Sequence, residues 1–168
     1  MNKQILKSTL IAAAGLLFAN SALAVEATTT FKVTATVADS CLVSATDLNF
    51  GAYNPAAVKD GTSTITVTCT AETDYTIGLD AGLQSAGATG TTRAMMGNDT
   101  AATSLNYELY TDSGRTTVWG DGGIGGTTVA QLALTGGPID YIVYGRIPAL
   151  QYVPAASYVD TINVTVDY

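Results

Sequence analysis

Histidine is absent from this 168-residue chain. Without it, Ser-His-Asp and Cys-His arrangements cannot be built, and the common nucleophilic machinery is missing. Basic residues are scarce as well. Of the seven lysines and arginines, Lys3 and Lys7 fall in an N-terminal leader described below. The other five (Lys32, Lys59, Arg93, Arg115 and Arg146) stand against fourteen acids, a net charge of −9. That balance counts against nucleic acid as a partner, because phosphate binding needs a basic face. Past the leader no apolar run approaches the roughly 20 residues of a membrane-spanning helix. Lys, Glu and Leu are sparse beside Thr, Val, Ala, Gly and Tyr, a composition that favours strands.

What is present begins with Lys3 and Lys7, an apolar run over residues 10–19, and Ala22-Leu23-Ala24. This is the order of a secretory signal peptide with an A-x-A cleavage site. The expected organisation is therefore a leader over 1–24, an extension over 25–38 and one domain over 39–168. Two cysteines, Cys41 and Cys69, remain in an exported chain, and an even count in an oxidising compartment argues for one disulfide. Zinc is the rival reading, but structural zinc sites pair cysteines two to four residues apart and recruit histidine. No metal or cofactor is expected.

Residues 28–38 place Phe31, Val33, Ala35 and Val37 on one face of an extended chain and Thr30, Lys32, Thr34 and Thr36 on the other. This is the period-two pattern of a half-buried strand. Residues 41–44 continue extended. The same alternation recurs in Ile65, Val67 and Cys69, in Tyr75, Ile77 and Leu79, and in Leu105, Tyr107 and Leu109, whose outward partners are Asn106, Glu108 and Tyr110. Further strands are read at 94–96, 117–119, 129–134 and 139–148. The last runs over 161–168, with Ile162, Val164, Val166 and Tyr168 on one face. The register of 63–70 turns Cys69 inward, where Cys41 can meet it. Many short strands separated by turn residues, with no helical period after the leader, predict an all-β, immunoglobulin-like β-sandwich, with an up-and-down barrel as the alternative.

Chemistry finds little support. Glu72 and Asp74 form an acid pair of the kind a glycosidase uses, but solvated acids are ordinary on an acidic protein. Residues 120–125 match G-x-G-x-x-G without the following helix that a dinucleotide site requires. Asn98-Asp99-Thr100 and Asn163-Val164-Thr165 fit a glycan acceptor pattern that is common by chance. Nine tyrosines and Trp119 offer a sugar-binding surface as a further possibility.

Several motifs fall in one order: Cys41-x-Val43, Phe50-Gly51-x-Tyr53, Ile65-x-Val67-x-Cys69, Tyr75-x-Ile77-x-Leu79-x-x-Gly82, Arg93-x-Met95 and Leu105-x-Tyr107-x-Leu109-Tyr110. Val143-Tyr144-Gly145-Arg146-Ile147-Pro148 and Ser157-Tyr158-x-Asp160-Thr161 follow, running to a C-terminal tyrosine. This series resembles the spore coat protein U family, which includes the subunits of archaic chaperone-usher pili. The resemblance implies a sandwich that lacks its last strand and leaves an apolar groove open. A periplasmic chaperone fills that groove first, and an outer-membrane usher exchanges it for the N-terminal strand of an identical or related pilin subunit, giving a head-to-tail polymer at the cell surface that serves adhesion or biofilm formation. On this reading Phe31, Val33, Ala35 and Val37 are the donor-strand anchors, and Ile162, Val164, Val166 and Tyr168 belong to the strand bordering the groove. A mature chain of this length has no room for a second receptor-binding domain, which points to a shaft subunit, with an adaptor indistinguishable from it. The alternative is a self-contained secreted sandwich of a spore coat or matrix, or a carbohydrate-binding module, in which 28–38 completes its own sheet. A secreted hydrolase is a third and weaker reading.

Overall fold

A computed structural model describes residues 25–83, 92–123 and 125–168. The leader over 1–24, most of the 81–91 connection and Ile124 of the glycine-rich loop lie outside the described residues. The chain divides into two units, one ending at Ala35 and one running from Thr36 to Tyr168. The described part of the first is exposed and forms no strand, with Phe31 at 86% and Val33 at 81% exposure.

The second unit is all-β among the described residues and consists of nine strands in two sheets rather than a closed barrel. In chain order these are β1 (Cys41–Ala45), β2 (Lys59–Cys69), β3 (Thr73–Leu79), β4 (Arg93–Gly97), β5 (Ser104–Tyr110), β6 (Val129–Ala133), β7 (Pro138–Ile147), β8 (Tyr158–Val159) and β9 (Val164–Asp167). The larger sheet has the order β1-β2-β7-β5-β4-β8 and the smaller β6-β3-β9. Every named ladder is antiparallel.

Alternation sets the inner faces. Ile65, Val67 and Cys69 of β2 meet Tyr75, Ile77 and Leu79 of β3, and Leu105, Tyr107 and Leu109 of β5 join them with Trp119, Val143 and Ile147. Each fully buried side chain of this size contributes about 1.5–3 kcal/mol. Polar contacts also fix the layers to each other. The Trp119 indole N–H donates to the Ile77 carbonyl at 3.0 Å. The Tyr75 and Tyr141 hydroxyls, one from each sheet, meet at 2.6 Å with their rings edge to face.

Several elements differ from the alternation pattern. The segment 117–119 contributes only isolated bridges, Tyr110 to Val118 and Trp119 to Thr127, because it crosses between sheets instead of joining a ladder. β2 begins at Lys59, four residues earlier than its clean alternation starts, since Lys59 through Thr62 find partners on β7. β8 arises from a Pro-flanked stretch that carries no strand pattern of its own; Val159 and Tyr158 pair with Met96 and Gly97. Glu108, expected outward, is buried.

Cys41 and Cys69 form a disulfide and sit directly opposite each other in the β1–β2 register. Closing a loop with a sequence separation of 28 constrains the unfolded chain, which in the chain-entropy account is worth about 3–4 kcal/mol. The double substitution Cys41→Ser with Cys69→Ser is therefore expected to lower stability by about that amount. Urea denaturation of the two proteins checks it, and coincident midpoints would refute it.

Candidate cleft between the sheet edges

β1 is the edge of the larger sheet and β9 the edge of the smaller, and between them no ladder forms. The sandwich is thinly covered there. Val43, on the same face of β1 as Cys41, is 36% exposed, and Ile162, Val164 and Val166 are only half-buried. Tyr168 lies beyond β9 and is 62% exposed. A cleft of about 1100 Å³ opens at the end of the sandwich away from the disulfide. Core-facing Ile65, Leu79, Leu105, Leu109 and Val143 reach it, and Ile162 and Val164 border it.

Sequence shapes each wall. Beneath the 46–53 segment, which walls one side, Gly61 and Gly145 face each other across the β2–β7 ladder. A Cβ on Gly145 would stand 2.8 Å from the Leu48 and Phe50 side chains. The glycine pair thus makes a shallow seat in which the 46–53 segment rests its two apolar side chains. The Tyr53 hydroxyl donates to the Pro148 carbonyl at 2.7 Å and accepts the Gln151 N–H, while the Leu150 N–H donates to the Pro55 carbonyl at 2.7 Å. Gln151 behaves as a short piece of strand. Its side-chain amide accepts the Asn106 N–H at 2.8 Å and donates to the Asn106 carbonyl at 2.9 Å.

The opposite wall is held by two carboxylates. Asp160 accepts the Tyr107 hydroxyl at 2.7 Å and the Leu83 and Thr161 N–H groups, and Asp80 accepts the Gly82 and Asn163 N–H groups and the Asn163 amide. Gly82 has φ +89°, and any Cβ there would overlap the Asp160 carboxylate. Burial, with the Asp160 hydrogen bond adding to it, pushes the Tyr107 phenol far above its ordinary pKa. These bonds set the path by which the chain enters β9.

Behind the cleft lies a group that alternation did not reveal. Arg93 is fully buried. Its guanidinium donates to Glu108 at 2.6 Å and to the carbonyls of Asp80, Leu79 and Trp119 at 2.8, 3.0 and 2.8 Å. Burial raises the pKa of Glu108, an effect opposed by the Leu109 N–H and by Arg93. In sequence, the only signal was an arginine ahead of an apolar island, on a chain with few cations. Glu72 and Asp74 are exposed at the β2–β3 turn, and neither lines the cleft. Among the described residues no cluster of three His, Cys, Asp or Glu side chains is arranged to hold a metal.

Three similarities bear on this geometry. The profile of the Spore Coat Protein U domain matches residues 27–165. Protein U of Myxococcus xanthus is 34% identical over 172 residues, covering 94% of this chain and 93% of that protein. A chain of the CsuC–CsuE chaperone–tip adhesion subunit pre-assembly complex, from archaic chaperone-usher Csu pili of Acinetobacter baumannii, superposes with a TM-score of 0.55 at 26% identity. That match covers 79% of this chain, which spans 40% of the other.

Arg93→Met would leave the Glu108 carboxylate buried and unpaired, at an expected cost of about 3–5 kcal/mol. Glu108→Gln keeps the shape and an acceptor for Arg93 and is expected to cost less. Urea titrations of both variants at pH 7 test this ordering, which a cheaper arginine replacement would reverse.

Proposed function

This chain belongs to the Spore Coat Protein U domain family, and from that premise we propose that it is a structural subunit of a chaperone-usher pilus, polymerised by insertion of its own N-terminal segment into the cleft of the next copy. It is a structural protein and not an enzyme. One observation carries the proposal: the same chain holds an open cleft reached by core side chains at one end of the sandwich, beside the ends of the edge strands β1 and β9, and, ahead of β1, an exposed segment with apolar residues at alternate positions.

The two features are complementary in kind. Phe31, Val33, Ala35 and Val37 recur every second residue, so they project to one side over about 20 Å of extended chain. β1 and β9 each present an unpaired edge to such a strand, which gains main-chain hydrogen bonds along its flanks and side-chain burial in the cleft. Phe31, Val33 and Val37 would each contribute about 1.5–3 kcal/mol on burial. Ala35 contributes less and suits a shallow part of the cleft. Insertion is head to tail and does not close, so it propagates as a filament.

Before assembly the cleft needs an occupant, and the likeness to a chaperone–subunit complex supports a periplasmic chaperone in that role. Exchange at an outer-membrane usher then places the next subunit's strand, and the product is a fibre at the cell surface that supports adhesion or biofilm formation.

Val33→Asp places a charge in the cleft and removes a buried side chain, which is expected to weaken each joint more than about tenfold. Wild-type assemblies run without boiling should give a ladder that collapses on heating, and the variant should run as monomer. A chain lacking residues 25–38 should still bind its chaperone yet fail to polymerise. Normal ladders from either chain would overturn the proposal.

A further inference from the structure

We propose that the rim of the larger sheet beside the cleft mouth, bearing Arg115 and Arg146 on its outer face and Lys59 at the start of β2, docks on the acid-bearing disulfide end of the copy whose strand fills that cleft; the inference rests on the polymerisation reading above. From Thr36 onward the chain has four cations, and Arg93 is buried. The other three lie at one end of the β2–β7 ladder. Arg146 grips Asp60 through two bonds of 2.7 and 2.9 Å. Arg115 lies 3.3 Å from the same carboxylate, donates to the Gly145 carbonyl, and stacks its guanidinium over the Tyr144 ring. Lys59 stands opposite Ile147, which lines the cleft, so it lies on the other face of β2 from Asp60 and Arg146. Of the acids here, Asp60 is shared by the two arginines, Glu108 of β5 stands opposite Arg146 in the ladder but is bonded to Arg93, and Asp112 is engaged by the N–H groups of Thr116 and Thr117.

The disulfide end has one sign of charge. Asp39, held by the Thr73 hydroxyl, sits with Glu72 and Asp74 at the β2–β3 turn, and Asp140 lies opposite Thr66. No lysine or arginine occurs in β1, β3, β6 or β9. Asp47 and Asp160 also line the mouth, so attraction is available only on the side that carries the three cations.

Connectivity brings the two surfaces together. β9 runs away from the mouth, with Val164 opposite Leu79 and Asp167 opposite Thr76. A strand inserted antiparallel to β9 ends at the mouth with Val37, and Asp39 of the same copy follows two residues later. Insertion in the parallel sense would instead bring acid onto acid. Complementary charge of this kind sets orientation more than affinity.

Lys32 and Lys59 are the only lysines outside the leader, which makes carbodiimide coupling of lysine to carboxylate selective. Isotope-labelled and unlabelled copies are mixed, polymerised, coupled and mapped by mass spectrometry, with the unboiled ladder run alongside. The expected product is a mixed-isotope peptide pair joining Lys59 to Asp39, Glu72 or Asp74. Its yield should fall several-fold in Arg146→Glu polymers and in 1 M salt, where screening acts within about 3 Å, while the ladder persists. A ladder in which Lys59 couples only within its own copy, to other acids, or to nothing overturns the docking proposal alone. No ladder from the wild-type chain overturns the polymerisation reading and this inference with it.

Discussion

The Arg93 guanidinium is the tie on which the open cleft depends. It starts on β4 of the larger sheet, pairs with Glu108 of β5, and ends on the carbonyls of Leu79 and Asp80 at the close of β3 in the smaller sheet. A sandwich normally keeps its layers together by closing the space between them with side chains. Here part of one flank is left open, so the remaining contacts must hold the layers in place. Arg93, the Trp119 indole bond and the Tyr75–Tyr141 pair do this with directional bonds. A buried ion pair is weak support for stability in itself, but its fixed geometry specifies one arrangement of the layers.

The disulfide completes that arrangement at the other end. It joins β1 to β2 at the first residue of β1, next to the point where the exposed N-terminal segment ends. β1 is five residues long and mostly exposed, so it buries little and would fray without the covalent tie. A β1 held only by its ladder would make a poor wall for the cleft. On the polymerisation reading, the disulfide keeps the edge that receives one strand in register while the chain just before it supplies the next.

Much of the fold was legible from alternation. Ile65, Val67 and Cys69, or Tyr75, Ile77 and Leu79, show which face is dry because a strand's period is short and local. The Cys41–Cys69 pairing followed from an even count and an inward register. Tertiary partners were not legible in this way. Glu108 reads as outward by its position between Tyr107 and Leu109, and only Arg93, fifteen residues away in sequence, explains its burial. Gly61 and Gly145 look like ordinary strand glycines until the 46–53 segment is laid on them. Gln151 acts as a strand surrogate through its side chain, which backbone pattern cannot disclose. The cleft is equally invisible, since periodicity tells which residues face inward and not whether anything covers them.

The exposed segment is also a hazard. Phe31, Val33 and Val37 on an unpaired strand former make the kind of edge that associates without specificity. Two features restrain it. Outside residues 1–24 the acids exceed the bases by nine, a balance that makes copies repel at distance, and the cleft opens at one end of the sandwich only. Indiscriminate stacking of these segments would bring like-charged domains together without filling any cleft. On the polymerisation reading, insertion alone offsets the repulsion, because it combines apolar burial with two sets of main-chain bonds. On the docking proposal the scarcity of basic residues has a use: a few cations at one end of the sandwich discriminate between orientations better than many cations spread evenly.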